Sequence, residues 1–233
     1  MQKKTFVVNG VSRTVEVAPE TSLADLLREQ LMLTGTKVTC KDGHCGACSV
    51  IVDGKLTLAC VTRAKRVPDG AKITTVEGIG TPGKLDPLQM AFAVHGAAQC
   101  GICTPGMVIS AKALLDENPN PSREEVRNWL TKHHNVCRCT GYKPIVDGIM
   151  DAAKVLRGEM SQADLEFKMP KDGHIWGSKY PRPTATAKVT GTLDFGQDLA
   201  LKMPANTLRL ALVQAKVSHA EILSIDTSQA EKM

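Results

Sequence analysis

The eight cysteines of this 233-residue chain fall into two groups of four, and their spacing points to redox chemistry. The first group runs Cys40-x4-Cys45-x2-Cys48 and closes with Cys60. That is the plant-type [2Fe–2S] spacing, with three thiolates on one tight loop and a fourth from further along. Gly43 and Gly46 within the loop can take positive φ and carry no side chain, so the backbone can curl there and aim N–H groups at sulfur. Zinc is the alternative for any thiolate tetrad. The four-residue gap, the loop glycines and a fourth ligand that follows an apolar strand favour iron–sulfur.

The second group pairs Cys100-x2-Cys103 with Cys137-x1-Cys139. Side chains one residue apart on an extended segment point to opposite faces, so both sulfurs of the C-x-C pair reach one site only through a sharp turn. Thr140-Gly141, just ahead of a helix-like stretch, suits such a turn. Taken alone this quartet admits iron–sulfur or zinc. Beside the first quartet, with no cysteine left over, iron–sulfur is favoured. Disulfides are disfavoured, because Met1-Gln2-Lys3-Lys4 leads into a strand-like run and not into the apolar core of a secretory leader.

Composition removes other classes. The net charge of +5 is modest and spread along the chain, and at 3% aromatic residues there is little for base stacking, so no nucleic-acid partner is expected. No apolar run approaches the roughly 20 residues that span a bilayer, so no membrane is expected either. Free thiolates gathered into clusters fit a reducing, cytoplasmic setting.

The elements that would position the cysteines follow from periodicity. Residues 4–9 and 13–17 alternate apolar and polar around Asn9-Gly10, a strong hairpin signal. Thr21-Ser22 caps a helix with Leu23, Leu26, Leu27 and Leu31 on one face. Strands are predicted over 49–52, 55–60 and 72–76. After the Gly/Pro-rich break at 78–87 the period changes to helical, predicting helices over 87–96, 104–115, 122–132 and from Lys143-Pro144 onward. Pro105 favours a helix start and Ser122-x-x-Glu125 is a capping box. Cysteine pairs at the starts of the second and fourth helices put the second site at one end of a small bundle, where helix dipoles favour thiolates. The expected organisation is α+β: a ferredoxin-like β-grasp domain over 1–78, a four-helix domain over 84–157, a linker over 158–184, and strands again from 185 through 222.

The segments 37-KVTCKDGHCGACSVIVDGK-55, 95-HGAAQCGICTPGMVISAKALL-115, 122-SREEVRNWLTKHHNVCRCTGYKPIVDGIMDAA-153 and 175-IWGSKYPRPTATAKVTGTLDFGQDLALKMP-204 together resemble the molybdenum hydroxylases, the xanthine oxidase and aldehyde oxidase family. Thr39, His44 and Ile102 depart from the family's usual residues, and none is a ligand position. The resemblance implies two [2Fe–2S] clusters, one held by Cys40, Cys45, Cys48 and Cys60, the other by Cys100, Cys103, Cys137 and Cys139. It implies that Gln99 and Cys139 lie against a molybdopterin cofactor of the cytosine dinucleotide type, bound mainly by residues outside this chain. It makes 185–233 the opening of the molybdenum-binding domain and the chain a piece, or one part, of a larger enzyme, dimeric as a holoenzyme. The implied reaction is aldehyde plus water to carboxylic acid, with electrons leaving through the Cys139 cluster first and then through a ferredoxin-like cluster nearer the surface. With no room for an FAD domain before residue 185, the acceptor is external, a flavodoxin or ferredoxin. The catalytic glutamate of the family lies outside this chain, so no catalytic residue is assigned here.

Three rivals stand beside that reading. A purine or other N-heterocycle hydroxylase shares the same iron–sulfur half. A freestanding ferredoxin-type carrier explains only the first quartet, and a zinc-stabilised interaction module needs zinc in both. His133-His134 near Cys137 invite a Rieske reading, but four cysteines already suffice, and His44, His95, His174 and His219 lack partners at metal-ligand spacing. The basic run 63-RAKR-66 reads as a solvated face or as a dock for an acidic electron-transfer partner.

Overall fold

Asn9 and Gly10 turn the chain with φ of 51° and 80°, both left-handed, as a two-residue hairpin that follows strand twist requires. The turn joins β1 (Gln2–Val8) to β2 (Val11–Val17) in antiparallel register from Gln2↔Val17 to Val8↔Val11. The Ser22 hydroxyl then accepts from the Asp25 N–H at 3.0 Å and starts α1 (Leu23–Asp25). That helix widens at once into a π-helical turn over Leu26–Gln30, where the Leu31 N–H reaches the Leu26 carbonyl at 3.1 Å. Leu23, Ala24, Leu26 and Leu27 are fully buried against Phe6, Val8, Val17 and Ile73.

With β3 (Ser49–Val52), β4 (Lys55–Leu58) and β5 (Lys72–Thr74) the sheet runs β2-β1-β5-β3-β4, parallel between β1 and β5 and antiparallel elsewhere. This is the expected β-grasp. Two strands stop short of the prediction: past Leu58 the chain turns so that the Cys60 N–H faces the Cys48 sulfur, and past Thr74 a 3-10 turn, Val76–Gly78, begins. The structure describes every residue except Arg209 and Met233 in a computed structural model, with Met1–Leu201 as one unit and Lys202–Met233 as another.

The helical half contains α2 (Pro87–Val94), α3 (Thr104–Glu117), α4 (Arg123–Lys132) and α5 (Tyr142–Leu156), as periodicity predicted. Ser122 and Glu125 form their capping box at 3.2 and 2.7 Å. Cys103 is the N-cap of α3, which makes Pro105 the second helical residue. Leu88, Phe92, Met107, Ile109, Ile145 and Ile149 fill this core. The two cores meet at β3, whose period-2 alternation sends Val50 into the sheet-side core and Ile51 into the helical one. Next to that seam Gly106 lies so close to the first cysteine loop that a Cβ there would stand 2.3 Å from the Gly46 carbonyl oxygen.

The strands expected from residue 185 are not present among the described residues. Residues 185–201 instead form α6 (Ala185–Val189) and lead into α7 (Gly196–Lys202). Ala185 and Val189, one helical turn apart, share a face and bury against α2 and α3. The Val189 carbonyl takes the Gln89 amide at 3.1 Å. The helix wins because it buries Ala185 and Val189, whereas a strand there has no neighbouring ladder to join. In 205–222 the described residues likewise form no strand.

Asp198 anchors the end of the first unit. It is 2% exposed, its Oδ1 takes Arg28 at 2.7 Å, and its Oδ2 takes Lys37 at 2.7 Å and the Phe195 N–H at 2.9 Å. Arg28 also donates to the Thr34 and Thr36 carbonyls, so the pair holds the segment that enters the first cysteine loop. Burial pulls the Asp198 carboxyl pKa up, but its Lys37, Phe195 and Arg28 donors outweigh that and hold it below the ordinary carboxylate value.

Asp198→Ala leaves two buried cations without a counter-charge, and the expected loss is about 3 kcal/mol, at the low end of the range for a broken buried pair because both cationic stems can swing toward water. Urea denaturation measures it. Because the native pKa is depressed, the contribution of Asp198 is full above the unfolded value of about 3.9 and vanishes as pH falls through the native value, so wild type and Asp198→Asn converge in stability in acid. Gly106→Ala meets backbone and not a flexible side chain, and should destabilise by about 1–3 kcal/mol in the same assay.

Candidate metal centres

The first site is built by a loop and a hairpin. Lys41, Gly43 and Gly46 all take left-handed φ, of 62°, 84° and 67°, which curls the segment carrying Cys40, Cys45 and Cys48. The pairing of Ser49 with Leu58 across the β3–β4 hairpin brings Cys60 back beside Cys48, with its N–H 3.4 Å from that sulfur. The thiols meet two by two, Cys40 with Cys45 and Cys48 with Cys60. Burial pushes the Cys48 thiol up to about 12, with like charge on Cys60 and Cys45 adding, and burial raises Cys45 as well. At Cys40 burial and Asp42 work upward but lose to backbone donors from Asp42 and His44 and to Cys45, which hold it below the ordinary thiol value.

The second site lies at the N-termini of α3 and α5. Its thiols also pair, Cys103 with Cys137 and Cys139 with Cys100. This resolves the C-x-C difficulty. Thr140 takes the left-handed turn (φ 55°), and the two sulfurs each go to a different partner. Gly141, at φ −77°, is not left-handed, and a Cβ there would meet Gln99 Nε2 at 2.8 Å. The Gly141 N–H donates to the Cys137 sulfur at 3.4 Å, and the Cys137 N–H donates to the Tyr142 hydroxyl at 2.9 Å. Burial pushes Cys103 well up. Cys139 is held down by donors from Cys100, with Arg182 and Lys188 nearby adding positive charge. Lys188 also donates to the Gln99 carbonyl at 2.6 Å. Nothing in the sequence marked Lys188 or Arg182 for this position.

Eight thiols meeting in pairs fit two binuclear clusters, which take two thiolates on each iron. A zinc tetrad would instead gather all four thiolates around one ion. Thr104 Oγ1, next in sequence to Cys103, is buried without a partner among the described residues. None of the cysteines is in a disulfide. The second site is the more open within this chain, with Cys100 exposed and no exposed cysteine in the first, so the expectation that the first lies nearer the surface has no support from thiol exposure.

The two sites touch. The Val136 N–H donates to the Cys45 carbonyl at 3.1 Å, and Val136 is bonded to Cys137. His134 and Asn135 press on Gly46 from the same segment. The sequence placed these residues beside a ligand but held no sign that they bridge to the other loop. His133 stacks on Trp129 with ring centroids 4.3 Å apart, and His95 pairs with Asp151 at 2.9 Å, both packing roles. No helix among the described residues is long and apolar enough to cross a membrane.

Comparison with known proteins agrees with this division. Residues 6–65 match the family model of the 2Fe-2S iron-sulfur cluster binding domain and residues 75–150 that of the [2Fe-2S] binding domain. The aldehyde oxidoreductase of Megalodesulfovibrio gigas is 64% identical over all 233 residues, which span 26% of that protein, about a quarter of its length. The solved aldehyde oxidoreductase from Desulfovibrio gigas superposes with a TM-score of 0.93 at 64% identity, covering 100% of this chain and 26% of that one. A probable xanthine dehydrogenase component of Bacillus subtilis is 49% identical over 163 residues, 69% of this chain and 90% of that protein. With both cysteine quartets inside iron–sulfur domains and a near-complete relative among the hydroxylase components, the chain belongs to the molybdenum hydroxylase family of xanthine oxidase and aldehyde oxidase, as its iron–sulfur portion.

Proposed function

We propose that this chain is the electron relay of a molybdenum-dependent aldehyde oxidoreductase, in which aldehyde and water become carboxylic acid, two protons and two electrons. Cys40, Cys45, Cys48 and Cys60 would hold one [2Fe–2S] cluster, and Cys100, Cys103, Cys137 and Cys139 the other. When bound, such clusters supply one-electron storage, which lets a two-electron oxidation leave in single steps. The observation that carries the reading is the hydrogen bond from Val136 to Cys45, which leaves one residue and one hydrogen bond between ligands of the two sites. Tunnelling decays more slowly through bonded atoms than through gaps, so the segment from Cys45 to Cys137 suits electron passage.

The protein's own work is positional. Gln99 and Cys139, at the open side of the second site, would face a molybdopterin bound mainly by residues beyond this chain. The Gln99 side-chain amide beside Gly141 and the cationic surroundings of Cys139 support that placement. Residues 1–78 and 84–157 would be the two iron–sulfur domains, 158–184 the linker, and 185–233 the opening of the molybdopterin domain. Leu208, Leu210 and Leu212, each more than three-quarters exposed, suit a segment that packs on further structure. The exposed Arg63, Lys65 and Arg66 suit an acidic acceptor such as flavodoxin or ferredoxin. The aldehyde reading is preferred over N-heterocycle hydroxylation because the 64% identity runs through 185–233, whereas the xanthine dehydrogenase component matches 69% of the chain.

Elemental analysis of anaerobically purified protein tests the site assignment. About four irons per chain with little zinc is expected. About two zincs without iron would sink the relay. Val136→Pro deletes the bridging donor, and rapid-mixing spectroscopy should find electron exchange between the sites slowed severalfold at full iron content.

A further inference from the structure

Asn135 is 5% exposed, and its side-chain nitrogen has no hydrogen-bond partner among the described residues. Its other end is well held. The Trp129 indole N–H, which can only donate, reaches the Ser110 hydroxyl at 3.0 Å, and that hydroxyl donates to Asn135 Oδ1 at 2.7 Å. The relay runs one way, so the amide nitrogen is turned to the opposite side. There it stands over Gly46, between Cys45 and Cys48, with Nδ2 2.6 Å from where a Gly46 side chain would begin. A buried donor left unmade costs about 1–3 kcal/mol, so a fold that builds a two-step relay to aim one there is matched to an acceptor. The acceptors that the first site brings are sulfurs.

We infer that Asn135, although it sits on the segment leading to the second quartet, is the amide donor to the sulfurs of the first site and raises that site's reduction potential. The inference rests on the iron–sulfur reading above. The physical reason is charge: one-electron reduction makes the site more negative, and a fixed N–H donor stabilises the more negative state. Asn135 is then a positioning residue for electron flow. It belongs by sequence to one site and by hydrogen bonding to the other.

Redox titration with EPR detection tests it, on the full protein purified anaerobically with both sites loaded. The signal altered by Cys60→Ser identifies the first site. Asn135→Leu should lower the first-site reduction equilibrium about tenfold, a downward shift of about 59 mV for one electron, with iron content kept and the second site moving less. A first-site potential that stays put at full iron content overturns the inference, as does a shift confined to the second site. Where Asn135→Leu fails to hold iron, Ser110→Ala decides. It frees the amide from its anchor, so a smaller downward first-site shift supports the inference and none overturns it. Wild-type protein that holds no iron would instead remove the iron–sulfur reading and this inference with it.

Discussion

The structure depends on backbone touching backbone at Gly46 and Gly106. The first cysteine loop and the N-terminus of α3 approach so closely that a side chain at Gly106 would strike the Gly46 carbonyl, while one at Gly46 would strike Asn135 and the His134 carbonyl. That contact sets the separation of the two thiol quartets, because α3 begins at Cys103 and the loop carries Cys45 and Cys48. The Val136–Cys45 hydrogen bond and the Asn135 amide can form only because the loops are already in contact. A relay needs its stations close and immobile, and here closeness comes from the absence of two Cβ atoms.

Electrostatics secures the approach to that contact. Arg28 and Lys37 flank the segment entering the first loop, and a single buried carboxylate, Asp198, takes both. Between them they satisfy three carbonyls, those of Thr34, Thr36 and Leu193, and the Asp198 oxygens, so the charges are compensated. Farther along, Lys188 reaches the Gln99 carbonyl and, with Arg182, adds positive charge near Cys139. Residues 182–198 therefore tie the sheet-side and helix-side halves together and shape the field at the second site.

Much of this was legible in the amino-acid order because it is local. The Asn9-Gly10 hairpin, the Ser22 and Ser122 caps and the four helices of the second half all depend on residues within a turn or two of one another. The limits were local too. Strand ends at Leu58 and Thr74 were overshot because apolar alternation continues past the point where the backbone turns to other work. Residues 185–189 were expected to be strand, and only burial of Ala185 and Val189 on α2 and α3 selects the helix.

The amino-acid order by itself determined which thiols act together, since the number and spacing of cysteines on a loop limit what a metal centre can be. It determined the grasp and the bundle, whose patterns are short-range. Tertiary structure alone decided that the thiols meet in pairs, that Thr140 and not Gly141 turns the C-x-C segment, and that Asn135 and Val136 serve a loop some ninety residues away in the chain. The reason is physical. Spacing records what neighbours along the chain can do, whereas a contact between distant loops exists only once the cores around β3 have packed and left the two backbones in reach.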